Sequence, residues 1–105
     1  RESDGLAMST RNNYLSSEDR ANAPFFYQQL VHTKAAIQNG TDISRATEQA
    51  IEALRTVFDV EYVEVLNANN LTQITTSSSE IIIISAVRLG ETRLIDNIVF
   101  RRSDV

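Results

Sequence analysis

The stretch Glu80-Ile81-Ile82-Ile83-Ile84-Ser85-Ala86-Val87-Arg88-Leu89, followed by Gly90-Glu91 and then by Thr92 to Phe100, decides the fold. Residues 80–89 are almost uninterruptedly apolar and β-branched, the composition of a strand covered on both faces, which belongs at the centre of a sheet. A partner-binding strand is the alternative, but packing within the domain's own sheet is the simpler use of such a run. Gly90-Glu91 sets glycine at the first central position of a tight turn, so residues 92–100 return as an antiparallel neighbour. Upstream, Val60-Glu61-Tyr62-Val63-Glu64-Val65-Leu66 is again β-branched and aromatic and reads as a third strand, whose imperfect alternation leaves its inward face open. Residues 67–79 are rich in Asn, Thr and Ser, with Leu71 and Ile74 as anchors. They read as an ordered surface connection, long enough to be the mobile part.

Further out lie two helices with apolar faces. Ser16-Ser17-Glu18-Asp19 has the hydroxyls and carboxylates of a helix start, so a first helix begins near Ser17. Pro24 removes a backbone donor and forces a kink or fresh start at Ala23-Pro24. Beyond it Phe26, Leu30 and Ile37, with Tyr27 and Ala23 beside them, form one stripe that ends at Asn39-Gly40. Asp42 caps the next helix, in which Ile43, Ala46, Ala50, Leu54 and Val57 recur at spacings of three and four. Ile51 and Phe58 widen that face, giving a helix over residues 43–57. Arg45, Glu48 and Glu52 read as its solvated face with weak pairs between turns, and His32 as helix surface or packing. The fold class is α+β: two main helices packed on a small three-stranded antiparallel sheet.

Composition narrows the function. With 105 residues, 42% of them hydrophobic, the chain builds one domain with one core. A net charge of −4 and a pI near 4.9 argue against a nucleic-acid surface, which needs a dense positive stripe. The only adjacent basic pair, Arg101-Arg102, reads as a solvated tail. The absence of cysteine excludes a thiolate nucleophile and a disulfide framework and fits a reducing compartment, so the cytoplasm is the default. No apolar run reaches the roughly 20 residues of a membrane span, and residues 1–20 lack the charged-then-apolar pattern of a signal peptide. A chain that begins with Arg1 and not methionine is more naturally a fragment.

Chemistry concentrates in residues 1–15, which carry no sustained period and read as an extended opening segment. Between Asp4 and Asn12 a glycine, a serine, a threonine and an arginine stand together. Hydroxyls and backbone N–H groups donate to phosphate oxygens, and an arginine adds a fork able to grip two of them. By composition alone an ordinary surface loop explains such residues more often. Asp4 beside Gly5 fits its own turn better than a magnesium ion, Asp96-Asn97 fits local hydrogen bonds, and the single His32 makes neither a zinc site nor a triad. No metal ligand is assigned.

The order of residues says more. Arg1-Glu2-Ser3-Asp4-Gly5-Leu6-Ala7-Met8-Ser9-Thr10-Arg11-Asn12-Asn13-Tyr14-Leu15 resembles the segment that opens the C-terminal domain of pantothenate synthetases. Ser16 to Arg20, Ala23-Pro24, the helix ending at Gly40, and Arg88-Leu89-Gly90-Glu91-Thr92-Arg93-Leu94-Ile95-Asp96-Asn97 are similar to that family in order and spacing. The resemblance implies an ATP-dependent, AMP-forming ligase that joins pantoate to β-alanine through a pantoyl-adenylate, in pantothenate biosynthesis on the way to coenzyme A. It implies ATP and Mg2+ as cofactors, held mainly by a preceding nucleotide-binding domain that this sequence lacks, so residues 1–105 alone are expected to be inactive. In the family a Met-Ser-Ser-Arg-Asn stretch is similar in role to the phosphate-binding signature loop of class I aminoacyl-tRNA synthetases. By that likeness Met8, Ser9, Thr10 and Arg11 inherit ATP contacts, and Arg11 the catalytic role.

Thr10 departs from the family's serine, keeping the hydroxyl but adding a methyl that restricts it. The absence of a catalytic dyad agrees with this chemistry, because a carboxylate substrate is already an anionic nucleophile. The same likeness implies a hinged lid that closes over ATP, a mobile segment before Tyr14, a full-length homodimer and a monomeric fragment. Nothing points to nucleic acid or membrane as partner. The competing reading is a non-enzymatic protein-interaction module that uses an exposed helix or sheet edge. Arg11→Ala tests the two, with Arg20→Ala as the surface comparison.

Overall fold

Short polar side chains open α1 and α3, a proline starts α2, and a glycine closes α2. The Ser16 hydroxyl accepts from the Asp19 N–H at 3.1 Å and opens α1 (Ser17–Asn22). The chain restarts at Pro24 into α2 (Phe25–Gln38). That helix closes on Gly40 at φ +96, where the Gly40 and Thr41 N–H groups return to the carbonyls of Ile37 and Ala36. Asp42 then accepts from the Arg45 N–H and opens α3 (Ile43–Leu54). The helix stops at Leu54, three residues short of the sequence-based boundary, because the Val57 and Phe58 N–H groups both turn back to the Leu54 carbonyl. Val57 still packs against the core from this final turn.

The computed structural model describes residues 1–75 and 78–102. Its sheet has the order β1 (Asp59–Asn67), β2 (Glu80–Leu89), β3 (Thr92–Arg101), antiparallel throughout, with β2 central as its apolar composition requires. Leu89 pairs with Thr92 across a two-residue turn with Gly90 at φ +61, the conformation glycine adopts without a steric penalty. Ile81, Ile83 and Val87 point from β2 into the core and are fully buried. There they join Val63, Leu94 and Phe100 of the flanking strands and Phe26, Leu30, Ala46, Ala50 and Leu54 of the helices. Phe58 seals one end, its ring centroid 5.8 Å from that of Phe26. An α+β layer of two main helices on three antiparallel strands results.

Several expectations need correction. The inward face of β1 was ambiguous because the strand bulges between Val60 and Tyr62: Glu61 is the extra residue, so Val60 and Val63, three apart, both pack inward. In the connection after β1, Ile74 packs against the core, but Leu71 is 57% exposed and in the left-handed region at φ +58, so it anchors nothing. Residues 76–77 of that connection lie outside the described residues. The helices cover only one face of β2. On the other, Ile82 and Ile84 are half-buried beside the exposed Tyr62, Ile95 and Val99, and no described element covers them. The basic pair is no free tail either: Arg101 ends β3 near Glu80, and Arg102 donates to the Thr75 carbonyl. No helix among the described residues is long and apolar enough to cross a membrane.

Candidate phosphate-binding site

The opening segment divides into a fastened part and a presented part. Residues 2–6 make a turn in which the Glu2 N–H reaches the Leu6 carbonyl at 2.8 Å and the Gly5 N–H reaches that of Glu2 at 3.0 Å. Leu6 is 2% exposed and belongs to the core. Gly5 lies flat on the Tyr27 ring at φ +94, and a Cβ there would stand 2.5 Å from a ring carbon, so this position admits only glycine without displacement. Asp4 accepts from the Leu6 N–H, as a turn aspartate does, and pairs with Arg20 of α1 at 2.8 Å. The Arg20 hydrogen bond is the main reason the Asp4 carboxyl is held below the usual carboxylate range.

Beyond Leu6 the chain closes a small loop. Asn12 Nδ2 donates to the Ala7 carbonyl at 3.0 Å, the Asn12 N–H donates to the Ser9 carbonyl at 3.1 Å, and Ser9 Oγ accepts from the Arg11 N–H at 3.1 Å. Ser9 thereby caps a 3-10 helix over Thr10–Tyr14. Its hydroxyl hydrogen is still available to an outside acceptor, since capping uses only an oxygen lone pair. Ser9, Thr10 and Arg11 are exposed, and Met8 is 69% exposed. Of the sequence-predicted site residues, Met8, Ser9 and Arg11 line a cleft of about 520 Å3 together with Tyr62, Ile84 and Asp96, and Thr10 stands between them on the same loop without lining it.

Charge pairing singles out Arg11. Arg1 is engaged by Asp96, Arg20 by Asp4, and Arg88 and Arg93 share Glu61 at 3.0 Å each. Arg93, foremost by its hydrogen bond, and Arg88 hold the Glu61 carboxyl below its ordinary range. Arg11 has no hydrogen-bond or ion-pair partner for its guanidinium among the described residues. Arg93 lines the same cleft and also a neighbouring one with Arg11. Two guanidiniums against the single Glu61 carboxylate leave that trio positive beside the loop. The site therefore offers an uncommitted fork, a donor hydroxyl and a positive rim, a donor set for an anion.

Among the described residues no group of carboxylates suited to magnesium gathers beside it. Asp4 and Asp96, the carboxylates that fasten the segment, are committed to arginines, and Asp19 and Glu91 along the second cleft gain no third ligand among the described residues. His32 is exposed on α2, and Arg45, Glu48 and Glu52 of α3 form no ion pairs with one another among the described residues. Arg20, chosen from the sequence as a surface comparison, proves to be a fastening residue through Asp4. Sequence reasoning also missed Arg1, Tyr27 and Asn12. Arg1 and Asp96 stand 95 positions apart, and no local pattern announces their pairing.

Comparison with known proteins shows the family and the fold. Residues 1–99 match the family described as pantoate-beta-alanine ligase. The chain belongs to that family. It is 46% identical over 104 residues to the pantothenate synthetase of Vesicomyosocius okutanii, covering 99% of this chain and 37% of that one. It is 43% identical over 101 residues to that of Stutzerimonas stutzeri, covering 94% and 35%. The solved pantothenate synthetase of Thermus thermophilus superposes with a TM-score of 0.83 at 37% identity, over 93% of this chain and 36% of that one. The chain therefore spans a little over a third of the length of the family members it matches.

Proposed function

We propose that this chain is the C-terminal lid domain of an AMP-forming pantoate–β-alanine ligase, and that its loop Met8–Arg11 meets the phosphates of ATP. The observation that carries the reading is the exposed, unpaired Arg11 at a cleft mouth where the neighbouring arginines are all paired. An arginine that needs no partner of its own in the domain is free to take one from outside.

The chemistry asked of such a loop is modest. A pantoate carboxylate attacking the α-phosphate of ATP is already an anion, so no general base is needed. What the step requires is alignment and the neutralisation of charge building on the departing pyrophosphate. The Arg11 fork supplies the charge and two parallel donors. Ser9 Oγ–H supplies a third donor, and the Thr10 hydroxyl a fourth that its methyl makes less free to turn. The Ser9 and Asn12 hydrogen bonds hold the loop in shape, so little ordering is left for the moment of reaction. Magnesium, when bound, would supply positive charge to the phosphates. The described residues do not suit it as ligands, so in this reading the preceding nucleotide-binding domain would hold it. Closure of the lid excludes water from an adenylate that water would hydrolyse. The same reading makes residues 1–105 inactive and monomeric alone and the full-length enzyme a cytoplasmic homodimer. With residues 1–6 fastened, the loop moves on closure together with the domain, whereas the resemblance implied that the segment before Tyr14 moves by itself. Sedimentation of this chain over a range of concentrations tests the monomer.

A second reading has one observation in its favour: the uncovered apolar sheet face around Tyr62, Ile95 and Val99 would serve a protein-interaction module as readily as a lid. AMP release by the full-length enzyme with ATP, pantoate and β-alanine separates the two. Arg55, exposed at the end of α3, is a better surface comparison than Arg20. AMP formation that requires all three substrates and collapses in Arg11→Ala but not in Arg55→Ala supports the lid. No AMP from folded wild-type enzyme leaves the interaction module.

A further inference from the structure

Arg1 makes more contacts than any site residue, and none of them faces a substrate. Its Nη1 and Nη2 donate to the two Asp96 oxygens at 2.6 and 2.8 Å, Nη1 also to the Gly5 carbonyl at 2.9 Å, and Nη2 to the Asn97 carbonyl at 3.2 Å. The guanidinium carbon lies 3.8 Å from the centroid of the Tyr27 ring. One side chain thus joins the opening segment to β3 and to α2. The Asp96 side chain is only 4% exposed, and it also takes the Asn97 N–H at 2.7 Å.

We propose that Arg1 and Asp96 form a positioning latch for the loop Met8–Arg11. The proposal rests on the reading of that loop as a phosphate-binding element. Two arguments carry it. The first concerns what such a pair is good for. Leu6 already fastens the segment by burial, and an ion pair whose carboxylate is buried but whose guanidinium is 33% exposed adds little stability over an apolar contact of the same size. A two-pronged guanidinium–carboxylate pair does fix direction, because both of its hydrogen bonds are linear in only one relative pose. That pose sets the Gly5 carbonyl, and from there only Leu6 and Ala7 separate the latch from Met8, with Ala7 itself tied to Asn12.

The second argument is electrostatic. Asp96 lines the same cleft as Ser9 and Arg11. Without Arg1 its carboxylate would present a negative charge to the space a polyphosphate must occupy. The latch therefore both aims the loop and cancels the one carboxylate that lines this cleft among the described residues. Removing Arg1 should harm ATP use more than removing the Asp96 charge, although each breaks the same pair.

The test is steady-state AMP formation by the full-length enzyme with ATP varied and with β-alanine varied, for wild type, Arg1→Ala, Arg1→Lys, Asp96→Asn, Arg11→Ala and, as a stability control, Ile37→Val. A purely structural lesion lowers the folded fraction, which reduces kcat and leaves every KM in place. A misaimed loop raises KM for ATP. The expected result is a fall in kcat/KM for ATP by tenfold to on the order of a hundredfold in Arg1→Ala, the scale of misplacing a catalytic group by an ångström. Asp96→Asn should fall less, Arg1→Lys should recover part of the loss by keeping the charge, and KM for β-alanine should stay put throughout. If Arg1→Ala fails to fold, Asp96→Asn and Arg1→Lys still decide the matter through KM for ATP. Wild-type KM for ATP in both Asp96→Asn and Arg1→Lys, with kcat lowered only as in Ile37→Val, overturns the latch. Full activity in Arg11→Ala instead overturns the phosphate-loop reading on which the latch depends.

Discussion

Residues 1–6 and residues 8–11 lie within a dozen positions of each other, yet they solve opposite problems. The first group has spent its polar groups: Arg1 on Asp96, Asp4 on Arg20, the Glu2 and Gly5 N–H groups on the turn, with Leu6 in the core. The second group is exposed, and Arg11 and the Ser9 hydroxyl hydrogen keep their donors for something outside. A binding loop needs both. Donors are useful to a ligand only if they are uncommitted, and they act without reorganisation only if the backbone beneath them is held. Substitutions in the two halves should therefore fail in different ways, and that difference is measurable.

The largest effect is expected from Leu6→Ala. Removing a side chain that is 2% exposed in the core leaves a cavity between the opening segment and the helices. Thermal or denaturant unfolding of the chain should show a loss of about 2–5 kcal/mol. A loss under about 1 kcal/mol, below the usual range for such a truncation, would mean that the segment packs more loosely than its burial implies, and the contrast between the halves would weaken. Next comes Arg11→Ala, which in the full-length enzyme should lower kcat/KM for ATP by on the order of a hundred- to a thousandfold, the effect of deleting one charge-stabilising donor. The unfolding midpoint should stay at the wild-type value, because Arg11 has no partner to lose among the described residues. An Arg11→Ala protein that is inactive because it is unfolded would erase the distinction between the two halves.

Gly5→Ala is third. It combines a φ of +94 with a methyl 2.5 Å from the Tyr27 ring, and Tyr27 can yield only by leaving its place under the Arg1 guanidinium. The strain at such a position is about 1–3 kcal/mol. This substitution joins the two halves: it should lower the unfolding midpoint and, by unsettling Arg1, raise KM for ATP as well. A change in stability with no change in KM would show that the segment tolerates displacement at its fastened end without moving the loop.

How much of this was legible in the sequence depended on whether the deciding interaction was local. Ser16, Asp42 and Asn39-Gly40 act within a turn of their own position, and Gly90 within two residues, so the helix boundaries and the hairpin could be read directly. The β1 bulge could not. Glu61 is extruded where Arg88 and Arg93, from two other strands, converge on its carboxylate, and nothing near residue 61 announces them. The continuous apolar run of β2 signalled coverage on two faces, yet the described residues supply a cover for one. The sequence property is real, and its second half is a face around Ile82 and Ile84 that no described element meets. Within the site, residue types alone left Met8–Arg11 looking like any surface loop, and only the order of residues shared with a family singled them out. Asn12 was in that order too. Its role in closing the loop on Ala7 emerged only with the backbone in place.

The smallest effect belongs to Asp4 and Arg20, and it is separable by pH. The Arg20 hydrogen bond, with help from the Leu6 N–H, depresses the folded-state pKa of Asp4 below its unfolded value of about 3.9. A carboxyl with a depressed folded pKa contributes its stability in full above the unfolded value and loses it as pH falls through the folded one. Between about pH 5 and 8 the pair should therefore give a constant contribution. Below about pH 4 that contribution should fade as Asp4 takes up a proton. Asp4→Asn lacks the charge at every pH, so its unfolding midpoint should lie slightly below wild type at neutral pH and converge on it as pH falls through the depressed folded-state pKa of Asp4. The comparison cancels the parallel loss at Glu61, which both proteins share. Both side chains of the pair are about a third exposed or more, so added salt should shrink the neutral-pH difference as acid does. A midpoint difference that ignores both pH and salt would remove the Asp4–Arg20 charge pair from the fastening, and would leave Leu6 and the Arg1 latch to hold the segment in place.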